Sequence, residues 1–493
     1  MNIIKTPICG WGMNRAALAL LVLLALALGA CDAINPTSVN NPTTTDDDLA
    51  QAKNPTEALM PGLRAQFARM INAYVVATSV ISDDYSIHGT GIVVDMDEPH
   101  LVTPDLVNST GTSASGAYWN VQELRALGDF VIDVIIPSDP NPDPALVAEA
   151  HYYRAMAYLT LGEIFSHAPH EEDGQAQPAS AALEKAVTDL QSAAAFGPQA
   201  QAALARAYRL QGNASAAATA ANNALGSAPD LLFAPSYDDA FLANTSVFFL
   251  VLRALQEMQP LPRLDFLDPK YTERGSPIAI AKAEEMHLIL AEAALAGGDL
   301  AGARTGLVNA INMAGTRGTV SFDDIDERRN ADLSLRPRSS EIMIRADSDS
   351  PYRAGLVKDR PADDLTVPSV SATSLDADSV SGLNSADELW HALWLARQEI
   401  MLLEGRRLAD LGIKLPMMRR EIDQNTSISQ GDAGTVAVVP AYIPQTPRYA
   451  MDIYSPVEIY DGRGPDAQLL VTEVTMLVDM NRVLVQNNAS PFQ

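Results

Sequence analysis

Between Leu204 and Pro229 the chain reads LARAYRLQGNASAAATAANNALGSAP, two alanine-rich helical patterns separated by Gly212-Asn213. Leu204, Ala205 and Tyr208 have helical spacing, and Ala217, Ala221 and Ala224 resume it before Pro229. Small residues on facing positions let two helices approach closely, glycine permits the sharp reversal, and proline ends the second helix. The stretch therefore predicts a helical hairpin. The first-arm spacing recurs at Ala155, Tyr158 and Gly162, and again at Ala291, Ala294 and Gly298. The second-arm spacing recurs at Ala186, Leu190 and Ala193, and at Ala303, Leu307 and Ala310. The two arms keep one offset from Ala205 to Ala217 and from Ala291 to Ala303, whereas the copy starting at Ala155 carries an insertion between its arms.

A repeat of about 34 residues with this order is tetratricopeptide-like, and about three stacked copies are needed to bury a continuous core. The expected fold is mainly α, a tetratricopeptide-like array of helical hairpins with long loop insertions and short β elements. The expected layout is a signal peptide over 1–30, a tether over 31–57 and a repeat core with inserted loops over 58–321. An irregular insertion over 322–384, a core helix and its exit over 385–423, and a loop and short-strand region over 424–493 complete it.

Charge narrows the function. With 61 acidic against 34 basic residues the net charge is −27, which argues against a nucleic-acid partner, since phosphate binding needs a basic surface. Cys9 and Cys31 are the only cysteines, so the expected mature fold has neither a disulfide framework nor a thiolate metal site. Arg15 precedes an apolar run over 16–28 that is too short to span a bilayer and reads as a secretory signal. Its ending, Leu28-Gly29-Ala30-Cys31, resembles the bacterial lipobox, in which the cysteine becomes the lipidated first residue. Met13 is an alternative start, and ordinary cleavage near Ala30 is the alternative to lipidation.

Along the chain, the stretch over 32–54 is polar, and too poor in apolar residues to fold alone. Leu59, Leu63, Phe67, Ile71 and Val75 predict a helix over 58–79. The pattern then breaks over 80–115 into a long loop region holding Tyr85, His88 and His100, and long loops are often functional. A helix over 118–136 follows, with Leu124, Leu127, Val131 and Val134 buried, and Asp143-Pro144 caps the next. His167 and His170, with Glu171, Glu172 and Asp173, sit in the insertion of the first repeat. A metal site is conceivable there, but the spacing is not that of a helix-face pair, and a solvated loop is the simpler reading. The apolar run over 247–252, with Phe241 before it, suggests a strand or buried helix. Strand-like pieces are expected over 342–344, 435–439 and 469–474. Ser385 with Glu388 makes a capping box and Gly412 a C-cap, predicting one helix over 385–412. Leu389, Leu393, Ala396, Ile400 and Leu403 form its core stripe. Arg397, Glu399, Glu404, Arg406 and Asp410 fall on its other faces, with Arg406 and Asp410 spaced as a helix-supporting pair.

Three stretches resemble the SusD/RagB family of outer-membrane nutrient-binding lipoproteins. Residues 149–169 look like its first long helix and following proline, and 283–299 like its third hairpin. The stretch RQEIMLLEGRRLADL from Arg397 to Leu411 resembles the family's ER-x2-EL-x2-EG-x-R-x2-DL pattern. It matches from Glu404 to Leu411, whereas Glu399 sits one place early and Ala396 stands where the family opens on glutamate. The closing proline and asparagine signals appear only as Tyr442-Ile443-Pro444 and as Asn481 to Asn487.

The resemblance implies a cell-surface protein, lipid-anchored to the outer membrane through Cys31. It would lie over a SusC-type TonB-dependent transporter and trap an oligosaccharide or peptide, with no enzymatic chemistry and no cofactor. The chain has no Gly-rich phosphate loop, no G-x-S-x-G elbow and no HExxH. A tetratricopeptide scaffold of the envelope and a lipoprotein glycan hydrolase are the two rival readings. Ligand contacts are expected from loops held by the array, because the repeat faces are filled by alanine and leucine. A sugar site needs an exposed aromatic beside hydrogen-bonding groups, which singles out Tyr85, His88 and Trp119. The alternative is that Tyr85 is a satisfied, semi-buried tyrosine and Trp119 a core residue.

Overall fold

Two of the three predicted hairpins close through the same turn. Helix ends leave carbonyls without partners, and a left-handed glycine lets the chain fold back to satisfy them. Gly212 (φ +74°) and Gly298 (φ +78°) take that role. Asn213 N donates to Tyr208 O at 2.9 Å and Asp299 N to Ala294 O at 2.8 Å, closing the motif. The same two residues then cap the next helices, Asn213 accepting from Ala216 N and Asp299 from Gly302 N.

The computed structural model describes residues 54–87, 94–109, 116–238, 240, 242–245, 258–323, 337–360, 364–446, 450–462 and 466–493. The helices are α1 (Pro55–Ile81), α2 (Pro104–Ser109), α3 (Ala117–Phe130), α4 (Pro144–Ile164), α5 (Ala179–Ser192), α6 (Pro198–Leu210), α7 (Ala214–Ser227), α8 (Ala283–Ala296) and α9 (Leu300–Gly315). After them come α10 (Ala377–Ser381), α11 (Ala386–Ile400), α12 (Arg407–Asp410), α13 (Arg419–Gln424) and α14 (Met480–Gln486). A π-helical turn over Val131–Ile135 carries α3 onward to Ser138. Helices α4 with α5, α6 with α7, and α8 with α9 pack as hairpins and stack in chain order, and α1 and α3 extend the stack beside α4. The repeat alanines hold the contacts: Ala155, Ala186, Ala205, Ala217, Ala291 and Ala303 are all fully buried. In the first copy Gly162 does not turn the chain, because α4 runs on to Ile164; a side chain there would strike Leu183 of α5. This glycine sets helix separation.

The strands are short and local. They are β1 (Tyr85–Ile87), β2 (His167–Pro169), β3 (Ala176–Pro178), β4 (Leu232–Phe233), β5 (Met258–Pro260), β6 (Ala281–Lys282), β7 (Thr319–Asp323), β8 (Met343–Arg345), β9 (Asp364–Pro368), β10 (Tyr454–Ser455) and β11 (Glu473–Met476). Antiparallel pairs join β1 to β5, β2 to β3, β4 to β6 and β7 to β9, while β11 lies between antiparallel β10 and parallel β8. The protein is thus mainly helical, with hairpins and short sheets filling the insertions. Pairing of β2 with β3 turns the insertion of the first repeat into a hairpin, with Asp173 in the left-handed region (φ 52°) near its tip. Among the described residues no helix is long and apolar enough to cross a membrane.

Several expectations change. The helix expected over 385–412 keeps its capping box but ends at Ile400, and α12 follows only after a turn with Leu403 (φ 56°) and Gly405 (φ 80°) left-handed. Tertiary partners take the carbonyls that a helix would use. Lys282 Nζ donates to Ile400 O at 2.6 Å, Lys270 Nζ to Leu402 O at 2.7 Å, Tyr271 OH to Leu403 O at 2.7 Å and Tyr74 OH to Gly405 O at 2.6 Å. The charged residues of this stretch are buried, and Arg406 and Asp410 are not each other's partners. No strand forms over 435–439, where Val438 makes a single bridge to Lys414. The strand expected over 469–474 forms further on, as β11. Phe241 and the run over 247–252 lie outside the described residues.

Candidate functional site

Trp119 enters α3 in its first turn, one position off the face that buries Tyr118, Val121, Leu124 and Val131. That offset leaves its indole 38% exposed, whereas Trp390 and Trp394 of α11 are core residues. The Arg420 guanidinium of α13 lies over the ring, 5.3 Å from its centroid, a cation–π contact that fixes the indole and covers part of its surface. Trp119 therefore stands at the mouth of a cleft of about 410 Å³ between α3, the β2–β3 hairpin and α13.

Hydrogen bonds from α3 and α13 hold the hairpin in place. Gln122 Nε2 donates to Pro169 O at 2.9 Å, and Arg125 Nη1 donates to His170 O at 2.8 Å. From the opposite wall Asn425 Nδ2 donates to Gly174 O at 2.9 Å and to Glu421 Oε1 at 2.9 Å. Arg420 Nε is braced on Gln424 Oε1 at 3.0 Å. The rim carries Glu171, Glu172, Asp173 and Gln424. Carboxylates and amides around one exposed indole present an apolar plate ringed by hydrogen-bonding groups. A pyranose, with one apolar face and equatorial hydroxyls, is complementary to that arrangement.

On the far side of the hairpin lies a second, polar basin of about 780 Å³, which also takes in Glu171. Arg154 crosses it, with Nη1 3.3 Å from Asp129 and Nη2 2.8 Å from Asp189. His170 is buried with its ring edge-on to Tyr158, and burial, with the charges of Lys185 and Arg125, lowers its pKa to about 4. His170 is therefore neutral at physiological pH. Among the described residues no group of three or more His, Cys, Asp or Glu side chains could hold a metal ion.

The other residues singled out from sequence fall elsewhere. Tyr85 lies in β1, fully buried, its hydroxyl donating to Asp268 Oδ1 at 2.6 Å. Its two acidic neighbours are buried too, and Asp83 is bound by Arg407 at 2.5 Å and by Arg263 at 3.3 Å. The satisfied-tyrosine reading describes Tyr85 as it stands, and the chain does not bring it to Trp119. His88 and Cys31 lie outside the described residues. Arg420 and Asn425 escaped sequence reasoning because they reach Trp119 only through tertiary structure. The acidic tip at Glu171–Asp173 was visible, but as a loop rather than as the wall of a cleft.

No protein-family model and no curated protein matches the chain. Among solved structures it is similar to a SusD superfamily protein from Bacteroides vulgatus, at 14% identity and a TM-score of 0.48, covering 72% of this chain and 87% of that one. It is also similar to a SusD-like carbohydrate binding protein from Bacteroides vulgatus, at 13% identity and a TM-score of 0.47, covering 74% of this chain and 83% of that one. NanU of B. fragilis aligns at 11% identity with a TM-score of 0.45, covering 78% of this chain and 93% of that one.

Proposed function

We propose that this chain is a cell-envelope binding protein of the SusD/RagB type. In this reading it is held to the outer membrane by acylation at Cys31, captures an oligosaccharide in the Trp119 cleft and passes it to a SusC-type TonB-dependent transporter. The observation that carries the binding role is the half-exposed Trp119, clamped by Arg420 and ringed by the polar groups of the β2–β3 hairpin and α13. The family part rests on residues of this chain. Glu404, Gly405, Arg406 and Asp410 of the family-like motif are the residues that lock the centre of the array. A rigid helical stack bearing a loop-built cleft suits capture without chemistry.

Calorimetric titration of the mature chain with neutral oligosaccharides and with peptides of matched length tests the binding role. The proposal expects saturable binding of at least one oligosaccharide class and none of the peptides. Peptide binding alone would replace the ligand class, and turnover of a glycan would replace the mechanism. Metabolic labelling with a fatty-acid analogue tests the anchor: the wild type should take the label and Cys31→Ala should not.

A further inference from the structure

The Trp119 cleft is one-sided in charge. Of the described residues that line it, Glu123, Glu171, Glu172, Asp173 and Glu421 stand against Arg125 and Arg420. Arg125 is already matched, since its Nη1 lies 2.6 Å from Asp129 Oδ2. Arg420 donates to the neutral amide of Gln424, so its charge offsets one carboxylate at most. Among the described residues Glu123, Glu171, Glu172 and Asp173 are exposed and have no ion-pair partner.

The fold holds these carboxylates beside the indole. The tip of the β2–β3 hairpin is tied at both ends, Pro169 O and His170 O to α3 and Gly174 O to Asn425. Glu171, Glu172 and Asp173 lie between those ties, and Gly174 N donates to Glu171 O at 3.2 Å. Glu123 follows Trp119 by one turn of α3, which places the two side by side on the helix surface. An indole face attracts cations, and this one already carries the Arg420 guanidinium. An aromatic plate beside carboxylates is suited to an ammonium group on an apolar body. The carboxylates do not converge on one point, since no group of three or more His, Cys, Asp or Glu side chains among the described residues could hold a metal ion. Spread charge suits a ligand whose own charges are distributed along a chain.

We propose that the Trp119 cleft selects a cationic oligosaccharide, one built of amino sugars with free amines, over neutral and acidic ones. The inference rests on the reading of this cleft as a sugar site and adds to it the charge of the ligand. The apolar face of a sugar lies on the exposed part of the indole, and the ammonium groups pair with Glu123 and the hairpin carboxylates. An N-acetylated chain stacks in the same way but forms no ion pairs. A uronate chain meets those carboxylates as like charges and is disfavoured.

The test is calorimetry on the full mature chain with tetramers of glucosamine, N-acetylglucosamine and glucuronate. At about pH 5.5 the amines are protonated and exposed carboxylates are ionised. At about 0.02 M salt the glucosamine tetramer should bind at least about tenfold more tightly than the acetylated one, because several modest ion pairs act together. The ratio should approach one near 1 M salt, where the Debye length falls to ~3 Å. Changing Glu171→Gln, Glu172→Gln and Asp173→Asn together should remove the preference and leave affinity for the acetylated tetramer within about twofold. Glu123→Gln, on the α3 wall, should lower the ratio as well, and guards against misfolding of the hairpin variant. Trp119→Ala should weaken both tetramers, whereas diffuse attraction to a chain of net charge −27 would leave glucosamine binding unchanged. The inference fails if the glucosamine tetramer binds no more tightly than either of the others, if the preference survives both sets of carboxylate changes, or if Trp119→Ala leaves glucosamine binding intact. In each of these cases, binding of the acetylated tetramer that depends on Trp119 would leave sugar capture standing. Absence of binding by every tetramer would overturn both.

Discussion

The Arg397 guanidinium forms two parallel hydrogen bonds to the Asp410 carboxylate, at 2.8 and 2.9 Å, across the break between α11 and α12. Arg209 Nη2 also lies 3.0 Å from Asp410 Oδ1 as an ion pair, and all three side chains are buried. The pair ties the last long helix of the array to the turn that follows and to the second hairpin. Around it, Arg406 holds Glu285 of α8, Glu404 accepts from Lys270 and Lys282, and Arg206 pairs with Glu163 beneath Tyr74. The interior of the stack is thus an ionic lattice surrounded by alanine and leucine. Charges in such a place hold only as partners, because removal of one strands the other without water.

Arg406→Ala should accordingly cost about 3–5 kcal/mol, by leaving Glu285 buried without its cation. Ile400→Ala, a deletion from the apolar stripe, should cost about 2–5 kcal/mol. Denaturant titration of both variants checks this. A loss near zero at Arg406 would mean that the ion pair is exposed in solution.

Gly405 should tolerate no side chain. Its φ of +80° is left-handed, and a Cβ there would overlap the ring of Tyr74, whose hydroxyl donates to Gly405 O at 2.6 Å. Gly405→Ala should cost roughly 2–5 kcal/mol from backbone strain and overpacking together. Gly298, at φ +78°, has nothing within 4 Å of its notional Cβ, so Gly298→Ala should cost only the backbone part, about 1–2 kcal/mol. Equal losses in thermal or denaturant unfolding would remove the steric role assigned to Tyr74.

Stability should fall between about pH 4 and pH 8 through Asp84. Burial, then the neighbouring charge of Asp83, pushes its carboxyl from 3.8 up to about 8. In that window the unfolded chain has released the proton and the native chain retains it. The unfolded state then binds fewer protons, and stability declines as pH rises. Asp84→Asn, which cannot ionise, should flatten that decline and gain most over the wild type near pH 8. Urea midpoints of the two proteins at several pH values decide the matter. Parallel profiles would mean that Asp84 is ionised in the native state.

Much of the scaffold was legible because its determinants are local. The Gly212-Asn213 and Gly298-Asp299 turns, the Asp143 and Ser385 caps and the alanine positions act within a few residues of themselves, and each forms as its spacing implies. What was not legible depends on partners distant in sequence. Nothing near Ile400 announces that Lys282, Lys270, Tyr271 and Tyr74 will take the carbonyls of the following turn, so the pattern read as one long helix. The charges of that stretch carried the same ambiguity, because a helical repeat of Arg and Asp looks alike on a solvated face and in a buried lattice. Trp119 was visible as a residue off the core stripe. Arg420, Asn425 and the hairpin that complete its cleft were not, since only the folded array brings them together. Tyr85 shows the converse, an aromatic in an irregular stretch that Asp268 draws into the core.

The most direct test of the account is the affinity of oligosaccharides for Trp119→Ala, with Arg420→Ala beside it and thermal stability measured on both. Trp119 is 38% exposed and the Arg420 guanidinium lies over its ring, so neither change should lower the unfolding temperature as far as a core deletion such as Ile400→Ala does. Loss of a stacking aromatic should weaken binding of a captured oligosaccharide by tenfold or more, about 1.4 kcal/mol. Loss of Arg420, which fixes the indole from outside, should weaken it less. Oligosaccharide affinity unchanged in both variants, with the fold intact, would contradict the assignment of the cleft.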